Sequence, residues 1–253
     1  YREALRANAG YDEIYFNLGT LESLKLGRRD EALDHYRVSW AINPMSPGTA
    51  GNFGALLLQR NAPGDREEAE KVLEWGLKLE PGNINFAMTL AGVRAQMGRW
   101  AEAEAVYAGL LSRQPNFAAA EQGLRQAVAA SKRPAPPLLA ALDSFRTLEG
   151  LIAKRDYGPQ TLALAQKGGK DFPESVVALF YLGNMELIHG DPKGAAEKLS
   201  KVVRADGSNL GAKLNLGQAY KRIGRTAEAA DLFRQVLAAD PNNTMARHEL
   251  GTR

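Results

Sequence analysis

Residues 210–243 read LGAKLNLGQAYKRIGRTAEAADLFRQVLAADPNN. Leu214, Leu216, Ala219, Tyr220 and Ile223 recur at helical spacing through the first half. Gly224-Arg225 interrupts that helix, and Ala229, Ala230, Leu232, Phe233, Val236 and Leu237 form the apolar face of a second. Pro241 stops it, because proline lacks an N–H and disfavours a helical residue before it. Neither helix can bury its apolar stripe alone, so the pair needs neighbours.

The neighbours lie elsewhere in the same sequence. The pattern returns with Leu182-Gly183, Gly190, Ala195 and Leu199, and Gly207 stands where the later copy has Pro241. Leu182 to Leu216, Gly190 to Gly224 and Ala195 to Ala229 are each 34 residues apart. Leu216-Gly217, Tyr220, Ala229, Phe233 and Pro241 make this unit resemble the tetratricopeptide repeat, a helix–turn–helix module of that length. The resemblance implies an all-α, right-handed superhelical solenoid of antiparallel helix pairs. In each pair a helix A precedes a helix B, with small residues where axes about 8–10 Å apart leave no room for large ones.

The 253 residues are 45% apolar with a net charge of +3, enough for a sizeable buried interior. No apolar run approaches the ~18 residues of a membrane span. Cysteine is absent, which excludes disulfides, thiolate catalysis and cysteine zinc sites, and is compatible with cytoplasm and periplasm alike. Residues 1–133 carry 16 charges of each sign, and residues 134–253 carry 16 positive and 13 negative. That is a solvated helical surface, not the clustered basic face of a nucleic-acid binder.

Taken in order, YREALRANAG and the residue after it (1–11) read as the end of a helix B with its closing turn. Repeats are expected at 12–46, 50–83 and 84–117, followed by a further helix A at 118–131 bearing Leu124 and Val128. In the first repeat one extra residue separates Leu18 from the turn glycine Gly27, and Met45-Ser46-Pro47-Gly48 suggests a long connection to the second. Asp65 is expected to cap the second helix of repeat 50–83. Residues 132–137 hold the proline-rich Pro134-Ala135-Pro136-Pro137, semi-rigid and extended. Beyond it come a helix over 138–155, a degenerate repeat at 142–175, repeats at 176–209 and 210–243, and a partial repeat at 244–253.

Around the proline segment two A helices follow one another with no B helix between. The failed alternation predicts two sub-arrays, 1–131 and 138–253, with helix 118–131 capping the first, because a strict array needs each repeat to offer its successor the same interface. The alternative is a continuous array in which 138–155 packs as the missing helix B. The truncated repeats at both ends suggest a fragment of a longer repeat protein.

No constellation of residues points to catalysis, a cofactor or a metal. His35, His189 and His248 share no helical turn. Gly168-Gly169-Lys170 lacks the spacing and preceding strand of a phosphate loop and reads as a left-handed helix C-terminus.

By resemblance, positions 2, 5, 6, 9, 12 and 13 of each repeat line a concave groove. In the later repeats these positions supply Phe180, Tyr181, Asn184, Asn215, Gln218, Lys221 and Arg222; Asn85, Met88 and Gln96 are candidates in the more neutral earlier groove. Amides suit a peptide backbone, a ring an apolar side chain and cations a carboxylate. The sixth-position series Asn17, Ala55, Thr89, Gly123, Thr147, Tyr181, Asn215 is a broken asparagine ladder. The family's clamp for chaperone tails keeps only Asn184 and Asn215, with Phe180, Met245 and Glu249 replacing its cations. The expected function is a non-catalytic scaffold binding a protein or peptide, with neither nucleic acid nor membrane insertion. The alternatives are a substrate-recognition arm of a larger enzyme, such as a glycosyl- or sulfotransferase, and a scaffold that self-assembles through its repeat faces.

Overall fold

A computed structural model describes residues 11–251; the expectations for residues 1–10 and 252–253 lie outside it. The described residues are helical with no strand, forming an all-α repeat solenoid. The helices are α1 Asp12–Leu21, α2 Arg29–Ile42, α3 Pro47–Arg60, α4 Asp65–Leu79, α5 Ile84–Gln96, α6 Trp100–Leu111, α7 Ala118–Ser131, α8 Pro137–Ala153, α9 Pro159–Asp171, α10 Val176–Ile188, α11 Pro192–Ala205, α12 Leu210–Arg222, α13 Thr226–Ala239 and α14 Thr244–Leu250. None is long and apolar enough to cross a membrane among the described residues.

The protein divides into two compact units: residues 1–110 with 119–134, and residues 111–118 with 135–253. In the first, one core runs from Ala32, Leu33 and Tyr36 through Phe53 and Leu73 to Phe86 and Leu90. In the second, successive clusters form around Leu199 and Leu216, around Phe233 and Val236, and around Val202 and Ala212.

Two local devices recur. The side chains of Ser46, Asn83, Ser175, Asn209 and Asn243 each accept a hydrogen bond from the backbone N–H three residues on, starting α3, α5, α10, α12 and α14. The A helices α1, α3, α10 and α12 each also offer a glycine to the helix B behind them. A Cβ at Gly19 would stand 2.9 Å from the Tyr36 ring, at Gly54 2.8 Å from Leu73, at Gly183 2.8 Å from Leu199 and at Gly217 2.6 Å from Phe233. Glycine there sets how closely the pair can pack.

The structure differs from the sequence expectation in five places. The extra residue of the first repeat is taken up as a π-helical turn, Glu22–Leu26, before Gly27 turns left-handed at φ 65°. The second repeat starts three residues earlier than expected: Ser46 caps α3 and Pro47 takes its first position, so there is no long connection. The extra length sits instead at Ala62-Pro63-Gly64, after Asn61 has taken the left-handed position that Gly98, Gly190 and Gly224 occupy elsewhere. Asp65 does not cap α4, which starts from Gly64. Its buried carboxylate accepts from the Ala62 N–H at 2.8 Å and from Nε and Nη2 of Arg60 at 2.9 and 2.6 Å. The Arg60 guanidinium holds the Asp65 pKa below the ordinary carboxylate value.

The fourth difference is at Gly168 and Gly169, which lie inside α9 rather than in a left-handed terminus. Their reason is close packing: a Cβ at Gly169 would meet Leu182 at 2.5 Å and one at Gly168 would meet Phe145 at 3.2 Å. Finally, Pro137 belongs to α8, as its first residue.

Candidate functional site

With α3 beginning at Pro47, the sixth position of the second repeat is Asn52, not Ala55, and the ladder series in the first unit reads Asn17, Asn52, Thr89. Two cavities lie along these A helices. One, of about 470 Å³, is walled by Gly51, Asn52 and Ala55 of α3, Leu73 of α4, and Asn85 and Thr89 of α5. The other, of about 410 Å³, lies between Ser23 and Leu24 of the π turn and Asn52, Ala55 and Gln59 of α3, with Tyr36 behind. Asn52 and Ala55 line both.

Tyr36 is 2% exposed. Its hydroxyl lies 3.1 Å from Thr20 Oγ1 and hydrogen-bonds Asn52, while burial raises its pKa. Glu80, in the lining of the larger cavity, is the one acid in either lining, and Asn83 Nδ2 donates to it at 2.8 Å. Neither lining holds Lys, Arg or His. Past Leu24 and Gln59 the surface becomes charged, with Arg28, Arg29, Asp30 and Glu31. Of the candidates in this unit, Asn85 is exposed on the cavity wall; half-buried Met88 and exposed Gln96 stand outside both linings.

In the second unit the candidates reach one another or their own scaffold. Asn215 Nδ2 donates to Asn184 Oδ1 at 2.7 Å, and Lys221 Nζ pairs with Glu249 at 2.7 Å. Gln218 Nε2 lies 3.1 Å from Met245 Sδ, and Arg222 donates to the Leu187 carbonyl at 2.7 Å. Phe180 packs into two of this unit's apolar clusters, 3.6 Å from where a Cβ at Gly211 would sit. Phe16 stands in the same relation to Gly48 in the first unit, again at 3.6 Å, so this ring position joins consecutive A helices. The Tyr181 ring lies 6.0 Å from that of Phe145, and its hydroxyl hydrogen-bonds Glu149. Burial raises the Glu149 and Tyr181 pKa values, and the Glu149 charge raises that of Tyr181 further.

The histidines are spread apart. His35 Nδ1 meets the buried Glu22 carboxylate at 2.7 Å, His189 Nε2 lies 2.8 Å from the Tyr157 carbonyl, and His248 is exposed. Among the described residues no three potential metal ligands gather. Spacing alone misses Asn52, because Leu56 takes the place of the repeat-pattern leucine that the fold assigns to Phe53. The Ser46-Pro47 start signature and the Phe53-Gly54 pair are the signals that fix the register.

A family model described as tetratricopeptide repeat matches residues 60–128 and 186–250. The FK506-binding protein-like protein of Mus musculus is 31% identical over 107 residues, covering 42% of this chain and 31% of that protein. Cellulose synthase operon protein C of Pseudomonas fluorescens (strain SBW25) is 25% identical over 179 residues, covering 71% of this chain and 13% of that protein. These matches span under a third of either relative's length. A solved tetratricopeptide repeat protein from Parabacteroides merdae ATCC 43184 aligns with a TM-score of 0.44 at 15% identity, covering 99% of this chain and 88% of that one. The family match covers just over half of a sequence whose helix pairs, glycine crossings and 34-residue period follow the same plan, and the chain belongs to the tetratricopeptide repeat family.

Proposed function

We propose that the protein is a non-catalytic interaction scaffold that holds a segment of a partner protein in the groove of its first unit, between α1, α3 and α5. The observation that carries this reading is the pair of cavities meeting at Asn52 and Ala55, with Asn85 exposed on the wall. Family membership supports the scaffold role in general. The polar candidates of the second unit, Asn184, Asn215, Gln218, Lys221 and Arg222, already have partners within the fold. In this reading they brace that unit, Phe180 serves packing, and Tyr181 is tied to Glu149. The protein works as two sub-arrays on either side of the proline segment, a reading supported by apolar clusters that each draw their residues from one unit.

The test compares partners recovered by wild type, by Asn52→Ala/Asn85→Ala and by Tyr181→Ala/Asn215→Ala, with mass spectrometry as the readout. Partners should be lost from the first variant alone. Loss from the second variant alone would move recognition to the second unit, and identical sets would place it outside both grooves.

A second reading rests on the match to a small part of the much longer cellulose synthase operon protein C. As one arm of a longer protein, the array would position a substrate for a catalytic domain such as a glycosyl- or sulfotransferase. A transferase domain in the full-length gene would favour it.

A further inference from the structure

Between α1 and α2 runs Leu24-Lys25-Leu26-Gly27-Arg28-Arg29, every residue of it exposed. The wide turn Glu22–Leu26 sets this up: Glu22 is buried, while Leu24 is 76% and Leu26 51% exposed, with Leu21 exposed alongside. Single π-helical turns are frequent at functional sites. A cavity of about 490 Å³ opens here, lined by Leu24, Gly27, Arg28 and Arg29 together with Glu31 of α2 and Gln59 of α3. The fold makes no use of the cations. Among the described residues the side chains of Lys25, Arg28 and Arg29 have no hydrogen bond or ion pair. Arg28 and Arg29 also stand at the start of α2, the positive end of a helix, where acids are favoured and cations are not. Of the two acids in the lining, Asp30 is engaged by Arg60 Nη1 at 3.1 Å, and Arg60 is anchored in turn by Asp65. Glu31 alone is left to oppose three free cations.

We infer that this turn is a second docking surface, which takes an acidic polypeptide segment carrying an apolar side chain beside its carboxylates. Charge and apolarity together define that occupant. The Arg28 and Arg29 guanidiniums can each take a carboxylate through two parallel hydrogen bonds. Gln59 offers both a donor and an acceptor to the backbone beside it. Leu24 and Leu26, left in water by the fold, gain cover from an apolar side chain of the partner. A neutral or basic segment would leave the cations unmatched. An anionic bilayer shares the charge but presents a flat face, whereas Arg28 and Arg29 line a recess that a protruding side chain can enter. The surface adjoins the smaller groove cavity through Ser23, Leu24 and Gln59. It uses none of Asn52, Asn85 and Thr89, so it stands or falls apart from the groove reading.

The test is selection of random displayed decapeptides on the whole protein, with phosphatidylserine-containing vesicles as a parallel probe. The variants are Arg28→Glu/Arg29→Glu and Leu24→Ser, all at exposed positions. Acids at the start of α2 suit its positive end, so the charge reversal should leave the protein folded, as circular dichroism melts check. Enriched peptides should combine Asp or Glu with Leu, Ile, Met or Phe. A synthetic copy should bind Arg28→Glu/Arg29→Glu about tenfold more weakly than wild type and Leu24→Ser about threefold more weakly. Its affinity for wild type should fall about fivefold from low to high salt. Enriched peptides without acids, or acidic peptides that bind both variants as tightly as wild type, would overturn the inference. Peptides lost on Asn52→Ala/Asn85→Ala but kept by both turn variants would overturn it and leave the groove reading standing. Vesicle binding abolished by both turn variants, with no acidic peptide enriched, would replace the segment by a lipid surface. Binding of neither probe would overturn the docking surface altogether.

Discussion

At the scale of single residues, glycine does two jobs in this protein, and substitution separates them. Gly217 lies where a Cβ would stand 2.6 Å from Cε1 of Phe233, whereas Gly150 in α8 has nothing within 4 Å. Gly217→Ala is expected to lower the melting temperature, costing about 1–3 kcal/mol through overpacking at the crossing. Gly150→Ala should raise it, by about 0.5–1 kcal/mol, because alanine loses less backbone freedom in a helix interior. Thermal unfolding of the two variants checks both signs, and an undisturbed Gly217→Ala would mean that α12 and α13 do not close around Phe233. The glycine crossings at Gly183 and Gly217 were legible in the sequence because the small residue recurs at a fixed period. Asn52 was not, since its identity as a groove residue depends on register, and a shift of three residues changes which repeat position it fills. Nor were the pairings of Asn215 with Asn184 and of Lys221 with Glu249: spacing placed the residues in a groove but could not show that they satisfy one another.

At the scale of elements, five A helices carry a side-chain cap, a signal that reading by repeat spacing passed over. Asn83, Ser175, Asn209 and Asn243 each precede a helix A. Where two signals competed, as at Ser46-Pro47 against Leu56, the cap was the better guide, because it satisfies a backbone N–H that would otherwise lack an intrahelical partner. The surplus residue before Gly27 was also legible, but its outcome as a π turn was not, since a loop or a shifted helix would have had the same length. Deleting Ser23 restores the eight-residue spacing from leucine to turn glycine found from Leu90 to Gly98 and from Leu216 to Gly224. The deletion should give a folded protein of similar helical content, with a melting temperature within a few degrees of wild type, because it lets the wide turn relax to α geometry. A collapse of the circular dichroism signal would show that the wide turn, with Glu22 held against His35, is required for the repeat.

At the scale of the whole molecule, apolar clusters built from neighbouring repeats imply nearest-neighbour energetics, in which a lesion is felt by adjoining repeats and fades beyond them. Native-state hydrogen exchange should show Gly217→Ala speeding exchange in α10–α14 while leaving α2–α5 as in wild type; uniform acceleration throughout would mean one cooperative block. The two edges of the repeats also differ in how their length is kept. The connection from a helix B to the next helix A is four residues at Asn43–Ser46, Glu80–Asn83, Phe172–Ser175, Asp206–Asn209 and Asp240–Asn243. After α6 it is six, Ser112–Phe117, but α6 is two residues shorter than α2, α11 and α13, so the step from Asn83 to Phe117 remains 34 residues. The insertions that the structure describes follow an A helix instead: the wide turn before Gly27, Ala62-Pro63-Gly64, the proline segment after α7, and the passage from α8 through left-handed Arg155 to Gly158. One edge of the repeats has thus absorbed extra residues while the other has held its length. That edge is the natural place for protein engineering. At Gly64, where the backbone is left-handed and the space around the missing side chain is open, a tag or a guest domain could be spliced in without disturbing the spacing on which stacking depends.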